Sequence, residues 1–481
     1  MAVLDSLRPE KVFRRFEEIT QIPHGSYNLE GIREYLIAFA KKNDIEYIAD
    51  DAGNIIFKKP AFPGYEEQPG VILQGHMDMV AVCEEGSGID MKTFPLDLFV
   101  DGDLIGARHT SLGGDNGIAV AMALAILEAG DIPHPDLEVI ITANEETGME
   151  GASGLDIGNI KNRRMINLDS EDEGIFTVGC AGGARVSCFI DSDSPLPSDG
   201  KYIEIGISGL TGGHSGQMIH LGRANAIKVT GEILGSVSGI PGAVITDIKG
   251  GNADNAIPSW CSVTVSVPSD AGDTIIESVK AEAAKIKERF KDTDPGFEYT
   301  VALSDRATGA LSLSVKKTSE FLKALPNGVI AMSKDIDGLV QTSLNLGIID
   351  VKDGKLHAEF SVRSSIASER DDLIDDLRII TSDFGGTNVV TGVYPGWKYA
   401  PVSPLRDKMV RVFEDMYGRT PQVEAIHAGL ECGFFMDKAP DIDAVSIGPD
   451  MQDIHSPSER LSISSTQRTY EYLLKVLSDK E

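Results

Sequence analysis

The feature that most constrains the fold is a series of short apolar runs, each ending in polar residues, that alternate with helical segments. The clearest runs are PGVILQGHMD (69–78), DLEVIITANEE (136–146) and NRRMINLDSE (162–171). Between the first two, DNGIAVAMALAILEAG (115–130) has the polar start and final glycine of a helix. This alternation predicts an α/β fold with a mostly parallel, buried sheet flanked by helices. In such sheets, functional side chains collect beyond the carboxyl ends of the strands.

A different pattern begins near residue 184. Apolar and polar residues alternate in ARVSCFIDSD, YIEIGISGL and WCSVTVSVP. This alternation is typical of an antiparallel sheet with one wet face. The α/β pattern returns after YPGWKYAPV. We therefore predict a discontinuous α/β domain, residues 1–183 and 398–481, that carries an inserted α+β domain, residues 184–397. A chain of 481 residues is long enough for two or three domains.

Two stretches of the inserted domain have the same outline. Residues 246–270 and 339–365 each contain two strands joined by a turn rich in Gly and Asp, and each precedes an acidic helix. Repeated outlines of this kind indicate an internal duplication. We therefore expect the inserted domain to contain two copies of one structural motif.

The charge and the cysteines limit the class of partner. Lys and Arg number 44 and Asp and Glu 74, which gives a net charge of −30. This acidic excess argues against nucleic acid and against anionic membrane surfaces as partners. The longest strongly apolar stretch, IAVAMALAIL, is too short to span a bilayer, and no secretory signal is visible. Five cysteines without C-x-x-C spacing suit reduced thiols, so we expect a cytoplasmic location.

Polar side chains of metal-binding type stand where apolar runs end or helices begin. They are His76, Asp78, Asp115, Glu145, Glu146, Asp169 and His455. Carboxylates gathered at one sheet edge would repel one another, and their pKa values would rise, unless a counter-charge lay between them. A pair of divalent cations supplies that charge, and imidazole and carboxylate ligands without thiolates suit zinc, or alternatively manganese or cobalt. Such a pair lies about 3.5–4 Å apart and can hold a hydroxide between its members.

Taken one at a time, these residues are weak signals. His-x-Asp is common by chance, and a strand-end aspartate such as Asp169 is more often a turn residue or a helix cap. His455 before Ser-Pro is equally an ordinary loop histidine, and the adjacent Glu145 and Glu146 are equally a solvated turn. The specific signal is the order and placement of the whole set.

The motifs GHMDMV, LGGDNG, TANEETGMEGA, NLDSE and DIHSPSERL, in this order, resemble the M20 family of dinuclear zinc peptidases. The resemblance covers essentially the whole chain. GHMDMV, NLDSEDEG and HAGLECGFF are most similar to the aminoacyl-histidine (Xaa-His) dipeptidase branch, also called peptidase D. The resemblance implies a zinc-exopeptidase-like catalytic domain, formed by 1–183 and 398–481, and makes the inserted domain, 184–397, its lid.

The resemblance also implies the ligands of two zinc ions. Asp115 would bridge both metals. His76 and Asp169 would complete one metal site, and Glu146 and His455 would complete the other. In similar proteins the peptide bond after the bridging aspartate is cis, so we expect the bond that follows Asp115 to be cis.

Two further acidic residues receive roles: Glu145 would be the general base, and Asp78 would orient His76. Residues two apart on an extended segment point the same way, so Asp78 can accept a hydrogen bond from the imidazole nitrogen that is not on the metal. Glu145 and Glu146 would project in opposite directions on a regular strand, so the turn after the strand must break the alternation. Glu145 would then take a proton as a hydroxide held between the metals attacks the peptide carbonyl, and pass it to the leaving amine.

The resemblance implies substrate contacts from the lid and from a nearby loop. His214 in TGGHSG would polarise the scissile carbonyl, Asn255 in NAIP would contact the substrate, and Arg363 in SVRSS would clamp the substrate carboxylate with its planar fork. Gly429 lies in HAGLECGFF, a segment that resembles a loop lining the substrate site. The alternatives are that His214 is an ordinary loop histidine, that Asn255 belongs to an ordinary turn and that Arg363 forms a surface salt bridge.

The role of two histidines stays open at this point. His427, which shares the HAGLECGFF segment with Glu431, is expected near the pocket and would either bind substrate or support the metal ligands. His109 in RHTSLGGDNG is similarly ambiguous, and support of the ligands is the favoured reading.

Together these expectations favour a metal-dependent hydrolase of dipeptides, above all Xaa-His dipeptides. The alternative is another M20-type hydrolase that acts on tripeptides or N-acyl amino acids, because only the pocket distinguishes them. A metal-binding protein without catalysis would need no free glutamate beside a ligand, and calcium would not favour two histidines.

Asn255 and Arg363 lie in different copies of the duplication, so a homodimer is allowed but is not needed to complete the site. We expect small peptides as partners, not nucleic acid or membranes.

Overall fold

The computed structural model describes residues 3–194, 201–269, 271–304 and 311–480. The chain divides into two compact units. The first contains Met1–Cys180, Trp397–Ala425 and Leu430–Glu481, and the second contains Ala181–Gly396 and Ile426–Gly429. Each unit has its own buried apolar core. The assignment of 1–183 and 398–481 to catalysis, and of 184–397 to a lid, stays a prediction.

The regular elements alternate along the chain in both units. The α-helices in the described ranges are α1 (Glu10–Thr20), α2 (Glu30–Lys42), α3 (Gly114–Leu127), α4 (Glu150–Gly154), α5 (Ser215–Met218), α6 (Ala226–Gly235), α7 (Gly272–Arg289), α8 (Val315–Ala324), α9 (Ala367–Asp383), α10 (Pro404–Tyr417), α11 (Cys432–Lys438) and α12 (Ile463–Ser478). The strands are β1 (Glu46–Ala49), β2 (Ile55–Lys59), β3 (Val71–His76), β4 (Leu98–Asp101), β5 (Leu104–Ala107), β6 (Leu137–Thr142), β7 (Arg164–Asn167), β8 (Ile175–Cys180), β9 (Gly182–Asp191), β10 (Lys201–Ser208), β11 (Gly213–His214), β12 (Val244–Gly250), β13 (Ala256–Ile257), β14 (Cys261–Val267), β15 (Glu298–Ser304), β16 (Leu313–Ser314), β17 (Gly328–Met332), β18 (Val340–Lys352), β19 (Lys355–Ser364), β20 (Gly386–Tyr394), β21 (Gln422–Ile426), β22 (Asp443–Ser446), β23 (Met451–Gln452) and β24 (Arg460–Ser462). Across these described stretches, no helix is both long enough and apolar enough to cross a membrane.

The main sheet of the first unit has eight strands in the order β1-β2-β6-β3-β7-β22-β8-β21. β3 pairs in parallel with β6 and β7, and β22 pairs in parallel with β7. The flanking pairs β1–β2, β2–β6 and β22–β8 are antiparallel. The predicted α/β class is confirmed, with a parallel centre and antiparallel borders. Every residue of β3 and of β6 is buried, which is why both strands read as continuous apolar runs.

Helix α3 lies in the interior of the first unit, where it contacts β3 and α1. Its residues from Asn116 to Leu127 are all buried, as expected of a helix that is apolar on every side. A smaller sheet of the same unit, in the order β23-β24-β5-β4, carries the DIHSPSERL segment between β23 and β24. These elements place the start of α3 and the histidine of that segment within one unit.

The second unit is built on an antiparallel sheet with the main order β15-β10-β14-β12-β18-β19-β9-β20. Its two halves have the same arrangement. In one half, hairpin β12–β14 is followed by α7 and β15, and β10 lies between β14 and β15. In the other half, hairpin β18–β19 is followed by α9 and β20, and β9 lies between β19 and β20. The halves meet where Gly250 of β12 pairs with Ile349 of β18. Of the two predicted copies, position 270 lies outside the described residues. The shared arrangement supports the expected internal duplication.

Candidate metal centre

The polar residues singled out at strand ends lie at one edge of the sheet of the first unit. His76 is the last residue of β3, Glu145 and Glu146 follow the end of β6, and Asp169 follows the end of β7. These three strands are parallel neighbours, so their carboxyl ends meet. Asp115 joins them from the first turn of α3, which contacts β3.

The five predicted ligands converge on Asp115. Its Oδ1 lies 3.1 Å from His76 Nε2, and its Oδ2 lies 3.1 Å from His455 Nε2. Asp169 Oδ1 lies 3.3 Å from the same nitrogen of His76. Glu146 Oε1 lies 3.1 Å from His455 Nε2. Asp115 therefore faces one imidazole with each of its oxygens, and each imidazole faces a second carboxylate.

This donor set fits divalent cations. Ligand atoms of His76, Asp115 and Glu146 all lie within 4.8 Å of one another, a group that could hold one metal ion. The Nδ1–H of His76 donates to the backbone oxygen of Asp78 at 3.0 Å, which leaves Nε2 with its lone pair toward the carboxylates. Imidazole and carboxylate donors suit zinc, manganese or cobalt better than calcium.

Asp78 supports the site in a way that the sequence does not indicate. Its carboxylate is predicted to accept from His76, and Oδ1 lies 3.5 Å from His76 Nδ1, within ion-pair distance, while the backbone oxygen of Asp78 lies closer to the same nitrogen. The carboxylate also accepts the backbone N–H groups of Glu145 at 2.9 Å and Glu146 at 3.3 Å, and the Ser26 hydroxyl at 2.8 Å. Asp78 thus fixes the main chain of the two adjacent glutamates.

The turn after β6 breaks the strand alternation, as expected. Asn144 has a φ of 52°, a left-handed conformation that asparagine adopts more readily than most residues. The N–H of Met149 donates to the carbonyl of Glu145 at 2.8 Å and closes the turn. The break lets Glu146 approach His455 without forcing Glu145 to the opposite face of a regular strand.

The expected cis peptide bond is also confirmed, between Asp115 and Asn116. The Asn116 side chain joins two strand ends, because its Oδ1 accepts from His76 N–H at 3.1 Å and its Nδ2 donates to the Leu168 carbonyl at 2.8 Å. A Cβ at Gly75 would lie 2.4 Å from Asn116 Oδ1, so this close approach requires glycine.

Glu459 is a residue of the site that sequence reasoning missed. Its carboxylate accepts the four backbone N–H groups of residues 112–115 at 2.8, 3.1, 2.8 and 3.3 Å. It therefore holds the glycine-rich loop that presents Asp115. A signal existed, since Glu459 lies in DIHSPSERL and a Gly-Gly turn at a helix start favours a bound carboxylate.

The neighbouring carboxylates favour the protonated form of the two imidazoles. Burial disfavours charge on His76, but the charge of Asp169 and hydrogen bonds with Asp115 and Asp169 raise its pKa well above the usual value. Hydrogen bonds with Asp115 and Glu146 raise the pKa of His455 to about 10. Protons on the imidazoles thus supply the counter-charge that cations would otherwise supply.

Three neighbouring carboxyl groups are poorly accommodated as anions. Burial raises the pKa of Glu145 well above its usual value, that of Asp169 to about 6 and that of Glu171 to about 7. Nearby carboxylates raise all three further. A nearby cation would favour the ionised form of all three carboxyl groups.

Raising the pH will destabilise the metal-free protein. The folded-state pKa of His455 lies above its ordinary 6.5, so its stabilising charge is complete below that value and is lost as the pH rises through about 10. Asp169 and Glu171 act in the same direction, because each raised carboxyl costs stability once it ionises. We expect the midpoint of thermal unfolding of chelator-treated protein to be lower at about pH 8.5 than at about pH 6.

Metal-saturated protein is the control for this measurement. Bound cations replace the protons as counter-charge, so its midpoint should fall less over the same range. A chelator-treated protein whose midpoint stayed level or rose would contradict the charge assignment.

The predicted lid residues lie in the second unit. The small sheet of β11 and β13 pairs His214 with Ala256, and the N–H of Ser215 donates to the carbonyl of Asn255 at 2.8 Å. His214 and Asn255 are therefore on adjoining segments. Arg363 lies on β19 and is 9% exposed.

The Arg363 guanidinium acts electrostatically on two histidines of the same unit. Burial and the Arg363 charge lower the pKa of His214, and the same causes lower that of His427 to about 4. His427 Nε2 lies 2.7 Å from the Ser343 hydroxyl. Among the described residues, His214 Nδ1 and Arg363 Nε are buried without a hydrogen-bond partner. Such atoms are rare in native proteins and mark groups that a ligand would satisfy.

The sequence assigns Gly429 to the substrate site and leaves the role of His109 open. Gly429 belongs to the segment Ile426–Gly429, which groups with the second unit. His109 is exposed, and its Nδ1 lies 2.6 Å from Glu84 Oε2. In the described ranges His109 makes no hydrogen bond or ion pair with a predicted ligand, and its role stays open.

A cavity of about 780 Å³ adjoins the metal centre within the first unit. Glu146 forms part of its wall, and its apolar lining includes Met79, Ala81 and Met91. Tyr27 lies at its mouth, where the tyrosine hydroxyl donates to Glu150 at 2.9 Å. The cavity is large enough for an amino-acid side chain.

Comparison with known proteins gives one family. A model of peptidase family M20/M25/M40 matches residues 72–479. The chain is 34% identical to the cytosol non-specific dipeptidase of Escherichia coli (strain K12), over 100% of this chain and 99% of that protein. The structure of aminoacylhistidine dipeptidase from Vibrio alginolyticus matches with a TM-score of 0.91 and 34% identity, over 99% of this chain and 98% of that one. Aminopeptidase PepT from Bacillus cereus, 17% identical, shares the fold with a TM-score of 0.56 over 98% of both chains. The chain therefore belongs to peptidase family M20/M25/M40, the family that its motifs resemble.

Proposed function

We propose that this protein hydrolyses dipeptides at a dinuclear metal centre. One observation carries the proposal: two imidazoles and two further carboxylates gather around Asp115, while the nearby Glu145 carboxylate makes no hydrogen bond or ion pair within the described residues. A protein that only bound metal would have no use for this free glutamate. Membership of the peptidase family agrees with peptide-bond hydrolysis.

We infer that the cations are two zinc ions, with manganese or cobalt as alternatives, because the donors suit all three. His76 and Asp169 would hold one cation, Glu146 and His455 would hold the other, and Asp115 would contact both. When bound, the cations would act as Lewis acids on the peptide carbonyl and would lower the pKa of a water molecule.

Glu145 is the proposed general base. Its N–H is held by Asp78, so its main chain is fixed while its carboxylate stays free to accept a proton. Burial raises its pKa toward the working pH, which suits a group that takes a proton from water and returns it to the leaving amine.

The second unit would recognise the rest of the dipeptide. Arg363 would bind the substrate carboxylate with its fork, and a neutral His214 would donate to the carbonyl oxygen as charge develops there. The unpartnered Arg363 Nε and His214 Nδ1 support these roles. Asn255 and Gly429 would add contacts, and the cavity beside Glu146 would take the N-terminal side chain.

Xaa-His dipeptides in the cytoplasm are the proposed substrates. The Vibrio alginolyticus relative is named an aminoacylhistidine dipeptidase and the Escherichia coli relative a cytosol non-specific dipeptidase. Both names support dipeptides, and the first supports a C-terminal histidine. The alternative is an M20-type hydrolase of tripeptides or N-acyl amino acids, which would use the same metal centre.

A substrate panel tests the proposal. Purified protein would be assayed with added zinc, manganese or cobalt against β-Ala-His, Ala-His, Gly-Leu, a tripeptide and an N-acetyl amino acid, with chelated protein as control. Fast, chelator-sensitive cleavage of the Xaa-His compounds is the expected result. Cleavage confined to the acetylated compound would overturn the substrate class, and no cleavage by metal-loaded protein would overturn the dipeptidase proposal.

Replacing Arg363 by lysine will lower kcat/KM for substrates that have a free carboxylate. A lysine cannot form two parallel hydrogen bonds to a carboxylate, so we expect kcat/KM to fall about 30-fold, the equivalent of about 2 kcal/mol for a charged hydrogen bond. The measurement compares a dipeptide with its C-terminal amide.

The amide separates recognition from general damage. It lacks the carboxylate, so Arg363→Lys should change its kcat/KM far less. Arg378→Lys, at an exposed position of helix α9, is the matched control and should leave the activity toward both substrates unchanged. Equal losses for dipeptide and amide would show that Arg363 does not read the carboxylate.

A further inference from the structure

Next to the proposed metal ligands, a series of hydrogen-bonded, buried side chains crosses the parallel centre of the sheet. The Ser446 hydroxyl donates to Asn167 Oδ1, and Asn167 Nδ2 donates to Gln74 Oε1 at 2.5 Å. Gln74 Nε2 and the Thr142 hydroxyl each donate to Glu431 Oε2 at 2.6 Å. Each of the five residues is at most 1% exposed. We call Ser446, Asn167, Gln74, Thr142 and Glu431 the strand-end belt.

The hydrogen bonds of the strand-end belt are all donated in one direction, from Ser446 towards Glu431. Each amide gives its N–H to one neighbour and receives with its carbonyl oxygen from the other, and the sequence of bonds ends on Glu431 Oε2, which accepts two of them. Because Glu431 is the terminal acceptor, it sets the orientation of the Gln74 amide, and that amide sets the orientation of Asn167. Buried networks of this kind are rigid only when every member is satisfied.

Two members of the strand-end belt stand two residues before proposed ligands in the sequence. Gln74 precedes His76 by two residues on β3, so both side chains project from the same face of that strand. Asn167 is the last residue of β7 and stands two residues before Asp169. Gln74 and Asn167 are also partners in the parallel register of β3 and β7. A hydrogen bond between them therefore fixes the separation of the strand ends that carry the ligands.

Glu431 reaches the belt from a different part of the chain. It precedes helix α11 and is not on any of the strands that it joins. One of its oxygens accepts both bonds, whereas its Oε1 has no hydrogen-bond partner among the described residues. The proposed mechanism uses neither oxygen, yet the carboxylate is fully buried. Burying an unused carboxylate is costly, so its retention here calls for a role.

We propose that Glu431 is a positioning residue of the metal centre, which holds the ends of β3, β6 and β7 through the strand-end belt and so sets the distance between His76 and Asp169. The inference rests on the proposed metal centre. Within the described residues, the Glu431 carboxylate makes no hydrogen bond or ion pair with a proposed ligand. Its effect is on how well the ligand atoms are placed before a cation binds.

Zinc affinity of the intact, full-length protein tests the proposal. Zinc binding would be measured on metal-stripped protein by competition with a chromophoric chelator, and the thermal midpoint would be recorded separately. Glu431→Leu removes the terminal acceptor, so we expect zinc affinity to fall by about 10-fold or more. Glu431→Gln keeps a carbonyl oxygen that can accept both bonds, so we expect it to retain affinity within about threefold.

Two further variants keep the test decisive. Ser446→Ala breaks the other end of the belt without a change of charge, and we expect about a threefold loss of zinc affinity even if Glu431→Leu does not fold. Glu138→Gln is the matched control: Glu138 is a buried glutamate on β6 that accepts the N–H groups of Lys161 and Asn162 at the opposite end of the strand. It should lower the thermal midpoint without changing zinc affinity.

The outcomes separate this inference from the proposed function. Equal losses in Glu431→Gln and Glu431→Leu would show that the charge, and not the hydrogen bonds, matters, and would overturn the proposal. Unchanged affinity in Glu431→Leu, or in Ser446→Ala where the former does not fold, would overturn it as well. In both cases the unmodified protein would still bind zinc. Failure of the unmodified protein to bind zinc would instead remove the metal centre itself.

Discussion

Glu145→Gln will leave the metal centre filled but will reduce kcat by about 10³-fold, within the range that a general base contributes. Glutamine has the size and shape of glutamate, and the backbone N–H that donates to Asp78 is unchanged. The amide, however, cannot take a proton from water. Because the Glu145 carboxylate makes no hydrogen bond or ion pair within the described residues, its loss leaves no buried partner unsatisfied. We therefore expect normal folding with turnover nearly abolished.

The measurement pairs kcat on the best dipeptide with the zinc content of the same preparation. Glu46→Gln, on the border strand β1, is the matched control and should keep normal turnover. A Glu145→Gln protein with near-normal kcat would refute the assignment. A Glu145→Gln protein that had lost its zinc would show that Glu145 binds metal and does not act as the general base.

Asp115→Asn will have the second large effect, the loss of metal from both halves of the centre. Asp115 is the residue whose two oxygens face His76 and His455. Asparagine offers one oxygen and one NH₂ group, and the latter would point its hydrogens at a cation. We expect zinc affinity to fall about 100-fold, at the upper end of changes seen around metal ligands, with activity falling in parallel.

Zinc stoichiometry and kcat/KM would be measured together for this variant. Asp103→Asn is the control, because Asp103 accepts from Ser462 and Ser464 at the start of α12 and has no part in the metal centre. The control should bind two equivalents of zinc. An Asp115→Asn protein that kept one tight zinc site would show that Asp115 serves a single metal and does not bridge.

The sequence is sufficient to predict the centre of the fold and the proposed ligands. β3 and β6 are buried on both faces, so they appear as predominantly apolar runs, and the polar residues that follow them are conspicuous. The border strand β1 was not anticipated, because it has four residues, none of them fully buried, and such a segment has little periodic signal. The sheet is consequently more mixed than the alternation of runs and helices suggests.

The supporting residues could not be predicted, because they depend on segments that meet only in three dimensions. Glu459 binds a loop 347 positions earlier in the chain, and Glu431 joins strand residues that lie 289 and 357 positions earlier. Local spacing predicts that Asp78 approaches His76, but it does not predict that the same carboxylate also accepts the backbone N–H groups of Glu145 and Glu146. Local spacing cannot show which of two nearby donors a carboxylate will reach.

The paired halves of the second unit have a consequence for how the protein can change. In a symmetric assembly of identical chains, every substitution appears at two equivalent places at once. Here hairpin β12–β14 and hairpin β18–β19 are encoded separately, so a substitution in one leaves the other as it was. Asn255 follows β12 and Arg363 lies on β19. Each half is therefore free to specialise, and the two can come to recognise different ends of one small, asymmetric molecule.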